Sequence, residues 1–458
     1  MPGVPSSRGC DACRLQKKKC DQLRPACSRC VRLNIACVGG GQQRYMFKVH
    51  TMTSMATRTQ SAMSVVGHPA RPPGNESVTA IRAFVSVLEI TDLRYDLSTY
   101  GTFLRDIPQR LGSNPALDAA VDALTCAFPF LKTRDYPPNV LTRYNHSLRA
   151  LRSCLDDPVQ AQTSNTLCAI YLIVICQAWL GLYHKYPNHG EAMAHILRAA
   201  ALREWQSTFD ADLVTTLCIP VIFESITNPN IKLDARFWEQ AAVFSRRSTV
   251  NNIGDSPKPT TKLCQMGRIS EFMRFPDIHH HEIAATYQLL RNDAYRMINH
   301  LIQRRAGMDL STSSATVIAY ARYQAACCLI ISLSLILNCL LRAFDATNSL
   351  LCEEASAFCD EIITIAESVS CHRPLGSGYA AVCLVPAWAA TDDPQQLARI
   401  ETIMAEYQLD FIDFNWSDRA TWLRSSFDTL RQGVAKGDRR RGFDPGKYGT
   451  GNEACVIL

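Results

Sequence analysis

The sequence predicts two unlike parts: a small metal-stabilised N-terminal cluster of two short helix-loop halves, then a large all-α domain. A disordered linker joins them and a disordered C-terminal tail follows. Three observations carry this expectation. Six cysteines fall within residues 10–37 in a repeated spacing, apolar residues recur at helical intervals from about residue 80, and no run of alternating strands or strand-helix units is found. Charge is divided in the same way. Residues 1–50 hold ten Lys or Arg against only Asp11 and Asp21, so a formal charge of +6 conceals a basic head on a near-neutral body. A head of this kind suits a polyanion partner, nucleic acid above all.

At 458 residues the chain exceeds one ordinary domain, and a hydrophobic fraction of 47% supports a sizeable core. The expected division is a disordered N-terminus at 1–9, the cysteine cluster at 10–37, a flexible linker at 38–80, the all-α domain at 81–432 and a disordered tail at 433–458. Gly39-Gly40-Gly41 opens the linker, which is rich in Ser, Thr, Met, Gly and Pro and has Glu76 as its acidic residue. It carries no sustained heptad, which leaves the oligomeric state open. Met1 to Ser7 form no apolar signal segment, so an intracellular chain with reduced thiols is expected despite 20 cysteines. Those beyond the head, such as Cys168, Cys176, Cys327, Cys328 and Cys339, lie in apolar stretches and read as small buried hydrophobes.

Two apolar runs of 17 residues, Leu167 to Tyr183 and Ala325 to Leu341, reach the lower limit for crossing a bilayer. Gln177 interrupts the first, and Ser332, Ser334 and Asn338 the second, so both are expected to be buried helices of the core. Amphipathic helices are legible elsewhere. Leu141, Tyr144, Leu148, Leu151 and Leu155 step by 3 and 4 before Asp156-Asp157-Pro158 ends the segment. Ile283, Tyr287, Leu290, Ala294, Met297 and Leu301 do the same, closed by Arg304-Arg305 and Gly307. Leu397, Ile400, Met404 and Tyr407 repeat the pattern.

Cys10, Cys13, Cys20, Cys27, Cys30 and Cys37 give the spacing C-x2-C-x6-C-x6-C-x2-C-x6-C, two similar halves related by a shift of 17 residues. Thiolates are soft ligands suited to tetrahedral zinc. Two separate four-thiolate sites would need eight sulfurs; six suffice for two zinc ions if two sulfurs bridge. Metal binding would then supply the folding energy that so short a segment cannot draw from a core, on the order of 10–16 kcal/mol for structural zinc peptides.

The run from Cys10 through Arg14, Lys17, Lys18 and Lys19 to Cys20-Asp21 resembles the binuclear zinc cluster of fungal transcription activators. The resemblance implies that Cys10 and Cys27 bridge both metals, that Cys13 and Cys20 complete one site, and that Cys30 and Cys37 complete the other. Pro25 matches a family proline that is often cis and sets the turn between the halves. Lys17 matches the family lysine that reads the guanines of a CGG-type triplet in double-stranded DNA. Arg14, Lys18, Lys19, Arg24 and Arg29 are then contacts to phosphates, which set register. The chain departs from the family at Gln16, where a basic residue is usual.

Behind the linker, Asn114-Pro-Ala-Leu117, Leu148-Arg-Ala-Leu-Arg152, His195-Ile-Leu-Arg-Ala-Ala200 and Val385-Pro386, taken in order, resemble the fungus-specific helical regulatory domain that accompanies these clusters. That likeness implies a nuclear regulator of RNA polymerase II transcription without catalysis. Its partners would be DNA, transcriptional co-regulators, a second copy of the chain and a small-molecule effector, and no membrane. His279-His280-His281-Glu282 lacks the helical HExxH spacing and reads as an exposed loop before a helix. Cys455-Val-Ile-Leu458 fits a prenylation pattern at Cys455, with Arg439 to Arg441 upstream. It defines the rival reading, a membrane-anchored or enzymatic helical protein that uses the zinc cluster only as an interaction module.

Overall fold

The structure is a computed structural model that describes residues 10–16, 18–23, 25–38, 76–182, 189–201, 205–228, 230–249, 256–307, 313–411 and 415–435. The chain divides into two compact units, one within residues 1–65 and one within residues 66–458. The described residues of the first are two short helices, Asp11–Leu15 and Ser28–Arg32, each followed by a loop. The second is all helical, with no strand among its described residues. Its first described helix, Glu76–Leu88, opens inside the segment read as linker, and its last, Trp416–Ala435, passes the limit set at 432. Residues 1–9, residues 39–75, Arg439 to Arg441 and Cys455 lie outside the described residues.

Local sequence starts these helices in ways that also join layers. Asn114 caps Pro115–Ala127 by accepting from the Leu117 amide at 3.0 Å, and Pro115 sits where its missing N–H costs nothing. The cap's amide nitrogen donates in turn to Gln160 and Thr166, at 2.9 and 3.0 Å, so the start of this helix is tied to the start of Ser164–Trp179. The alanine-rich face of Pro115–Ala127 is buried, and two helices, Val140–Asp156 and Ser164–Trp179, pack against it. The buried face of Val140–Asp156 is Val140, Tyr144, Ser147, Leu148, Leu151 and Cys154, whereas Leu141 is 39% exposed. The leucine stripe seen in the sequence therefore only partly coincides with the buried face. A contact face is wider than a row of leucines and takes small and polar residues at its centre when they fit.

The 31-residue helix Ser314–Phe344 runs through the other half of the domain. It is long and apolar enough to cross a membrane by length and composition, yet 83% of its most apolar stretch is buried in the protein. Its neighbours are the helices His280–Ala306, Ser349–Val369, Gly378–Ala390 and Trp416–Ala435. Two of its polar interruptions, Ser334 and Asn338, explain how it is held. Asn338 donates to the Tyr287 hydroxyl at 3.0 Å and to the Leu351 carbonyl at 2.9 Å, Tyr287 donates to Glu354, and Arg291 pairs with the same carboxylate. Ser334 donates to the Ile330 carbonyl one turn back. Burying such groups without partners costs on the order of 1–3 kcal/mol each, so the network fixes the register of three helices.

All six residues of the stripe from Ile283 to Leu301 are buried, and the helix stops at Gly307. The histidine segment departs from the expected exposed loop. His279 is half-buried and shares Glu282 with Arg268, while His280 and His281 form the first turn of the helix. Two cationic or polar partners in reach of one carboxylate draw the segment onto the surface of the domain. Every described cysteine is a free thiol, and Cys168, Cys176, Cys327, Cys328 and Cys339 are buried as expected.

Asp293 is the most heavily bonded buried carboxylate of the described domain. It accepts from the amides and hydroxyls of both Thr260 and Thr261, at 2.8 to 3.0 Å, and from Arg296 at 2.6 Å. Burial pushes its pKa up, but these donors outweigh burial and leave it below the ordinary Asp value. Its stabilisation is therefore complete above about pH 4 and is lost as pH falls through the depressed folded value. Asp293→Ala should lower the unfolding midpoint in denaturant by the equivalent of about 2–3 kcal/mol at pH 7. The gap to wild type should narrow below pH 4; a gap that is constant from pH 7 to pH 2 would contradict this account.

Candidate metal centre and nucleic-acid interface

The first unit is built twice. Cys10 opens the first half and Cys27 the second, and several local bonds repeat at a shift of 17 residues. The Cys10 amide donates to the Cys20 sulfur at 3.5 Å, and the Cys27 amide to the Cys37 sulfur at 3.3 Å. The Lys18 amide donates to the Cys13 carbonyl at 2.9 Å, matched by Ile35 on Cys30 at 3.1 Å. Each CxxC pair thus sits at a helix start, and the chain beyond the helix folds back to bring a third sulfur alongside. Asp21 caps the second helix from the connecting loop, accepting from the Ser28 amide at 3.1 Å, and the Asp11 amide donates to the Val38 carbonyl at 2.9 Å, closing the unit end to end.

This folding gathers the six sulfurs into two sets of four, Cys10, Cys13, Cys20 and Cys27, and Cys10, Cys27, Cys30 and Cys37, each within 4.8 Å of one another. Both sets contain Cys10 and Cys27. The separations of 3.7 Å for Cys10 to Cys27, 3.5 Å for Cys10 to Cys30 and 3.8 Å for Cys13 to Cys27 match the edge of about 3.8 Å that a tetrahedron with zinc–sulfur bonds of about 2.3 Å requires. Cys10, Cys13, Cys27 and Cys30 are 0% exposed. The donor set, its spacing and its enclosure all fit two zinc ions.

Protonation agrees with this. Burial pushes the Cys13 thiol up to about 12 and the Cys30 thiol higher still. The Cys10 and Cys27 thiols are lowered, chiefly because the amides of Cys13 and Cys30 donate to them at the two helix starts. The shared sulfurs are therefore those on which negative charge is best supported, while the buried outer sulfurs ionise only when a cation replaces the proton.

Residues 8–45 match the family model of the fungal Zn(2)-Cys(6) binuclear cluster domain. The head is a binuclear zinc-cluster domain. It binds two zinc ions through its six cysteines, and domains of this family are typical of DNA-binding transcription factors. No curated protein and no solved structure matches the chain.

On the surface of the cluster domain, Lys18 and Lys19 are exposed just beyond the first helix. Arg14 lies within that helix; Lys17, Arg24 and the side chain of Arg14 are outside the described residues, as is the peptide bond preceding Pro25. Arg29 differs from the exposed lysines in burial. It is half-buried, and its Nη2 donates to Gln16 Oε1 at 2.6 Å. Neither the role of Gln16 nor that of Asp21 was visible in the cysteine spacing, because both act across the loop between the halves.

Metal loading should follow the geometry of the two sets. Cys27→Ser, which damages both, should lose both zinc ions, whereas Cys37→Ser should leave a one-zinc species; native mass spectrometry of the purified chain distinguishes them. Because buried thiols must release protons to bind, apparent zinc affinity should fall steeply as pH drops from 8 toward 5 in a chelator competition. A flat profile would mean that the sulfurs are not the ligands.

Proposed function

We propose that the chain is a zinc-dependent, sequence-specific DNA-binding transcription factor that acts in the nucleus on RNA polymerase II transcription. The zinc ions hold the first helix and the basic segment after it, and Cys10 and Cys27 bridge the metals. Lys17 donates to the guanines of a CGG-like half-site in the major groove, and Arg14, Lys18, Lys19 and Arg24 meet phosphates on either side. The single observation that carries the reading is the pair of four-sulfur sets sharing Cys10 and Cys27 close in the chain to the exposed Lys18 and Lys19.

The helical domain from 81 to 432 is the regulatory part, without catalysis, and its surface receives co-regulators, a second copy or a small effector. Its deeply buried Ser314–Phe344 helix supports a packed scaffold over a membrane anchor. A gel shift on CGG-containing duplexes tests the DNA reading. Zinc removal by chelator should abolish the shifted band, and Lys17→Ala should weaken specific binding by about 10- to 100-fold, the equivalent of about 1–3 kcal/mol, with little change on non-specific DNA. Binding that survives chelation, or that ignores Lys17→Ala, would refute it.

A further inference from the structure

We infer that Arg29 is a positioning residue of the zinc centre, a cationic clamp that joins the two halves of the cluster domain, rather than a contact to a DNA phosphate. The inference rests on the two-zinc reading of the centre. Gln16 lies just past the first helix, three positions after Cys13, and Arg29 lies in the second helix between Cys27 and Cys30. The 2.6 Å bond from Arg29 Nη2 to Gln16 Oε1 crosses from one half to the other. The second terminal nitrogen, Nη1, is buried and has no hydrogen-bond partner among the described residues. A guanidinium meant for a phosphate would keep that edge toward solvent.

The sulfur face accounts for the buried edge. The Arg29 guanidinium lies beside the Cys13 sulfur. Two zinc ions and six thiolates sum to a charge of about −2, so a half-buried cation at this position faces a dianionic centre. Groups that bond to metal ligands from outside orient them and tune the site. The departure at Gln16 fits the same arrangement. A basic residue there would confront Arg29 with a like charge, whereas the glutamine carbonyl accepts its hydrogen bond and fixes the guanidinium plane. Lysine at 29 would be a poor substitute, because a point charge cannot reach the glutamine and the sulfur face with one rigid fork.

The test measures zinc transfer from the full-length, zinc-loaded chain to a chromogenic chelator, alongside the salt dependence of binding to a CGG-containing duplex. Arg29→Ala should release zinc about 10-fold faster or more, Arg29→Lys should restore little of the loss, and Gln16→Ala, at an exposed position that should not compromise folding, should move release in the same direction by a smaller factor. The slope of log affinity against log salt should stay at the wild-type value in Arg29→Ala. Release at the wild-type rate in that variant overturns the clamp. A slope shallower by about 0.9 and restored by Arg29→Lys would also overturn it and return Arg29 to the phosphates. Wild-type protein that carries no zinc would instead refute the metal centre itself.

Discussion

The sharing of two sulfurs between two sets of four is the constraint on which the head depends. Its buried apolar residues are Cys10, Cys13, Cys27 and Cys30, with Ala12, Cys20 and Cys37 packed against them. Leu15, Leu23, Val31, Leu33, Ile35 and Val38 are all exposed. Among the described residues, a segment that buries sulfur and leaves these leucines and valines in water has no aliphatic core to fold around, so the free energy must come from metal–thiolate bonds. Bridging is what allows six ligands to hold two ions. It also makes each half dependent on the other, because Cys10 and Cys27 belong to both sets.

That dependence reaches the surface. The Cys13 carbonyl, one residue of a ligand pair, accepts from the Lys18 amide, so the backbone of the basic segment is set by the same bonds that place the sulfurs. Lys18 and Lys19 are exposed, and their position is inherited from the centre. Order at the exposed-lysine side of the domain is therefore coupled to metal occupancy, and the Arg29–Gln16 bond adds a further tie between halves that also meet through sulfur, the Asp21 cap and the Asp11–Val38 backbone bond.

The helical domain solves the opposite problem. It has an ample apolar core and must place the polar groups that fall inside it. Asn338, Tyr287, Glu354 and Arg291 hydrogen-bond one another across three helices, Asp212 gathers Ser248 and Thr249, and Asp293 gathers Thr260 and Thr261. Each cluster joins a helix to a loop or to another helix, where apolar packing alone would tolerate a slip in register. The segment that length and hydropathy alone would allow to span a membrane is held inside the protein by contacts on nearly every side.

The sequence by itself determined the cluster and the class of the body. Metal coordination demands fixed residue types at fixed short spacings, and the stripe from Ile283 to Leu301 needs only the period of its own helix, so both are written in local order. Tertiary structure decided what depends on partners distant in the chain: that Leu141 lies at the rim of its helix face, that His279 joins an ion network, that Glu76 already begins a helix, and that Arg29 donates to Gln16 across the two halves. A long cation beside a ligand looks the same in sequence whether it faces phosphate or thiolate. Only the fold, by setting which groups lie within a few ångströms of its tip, chooses between them.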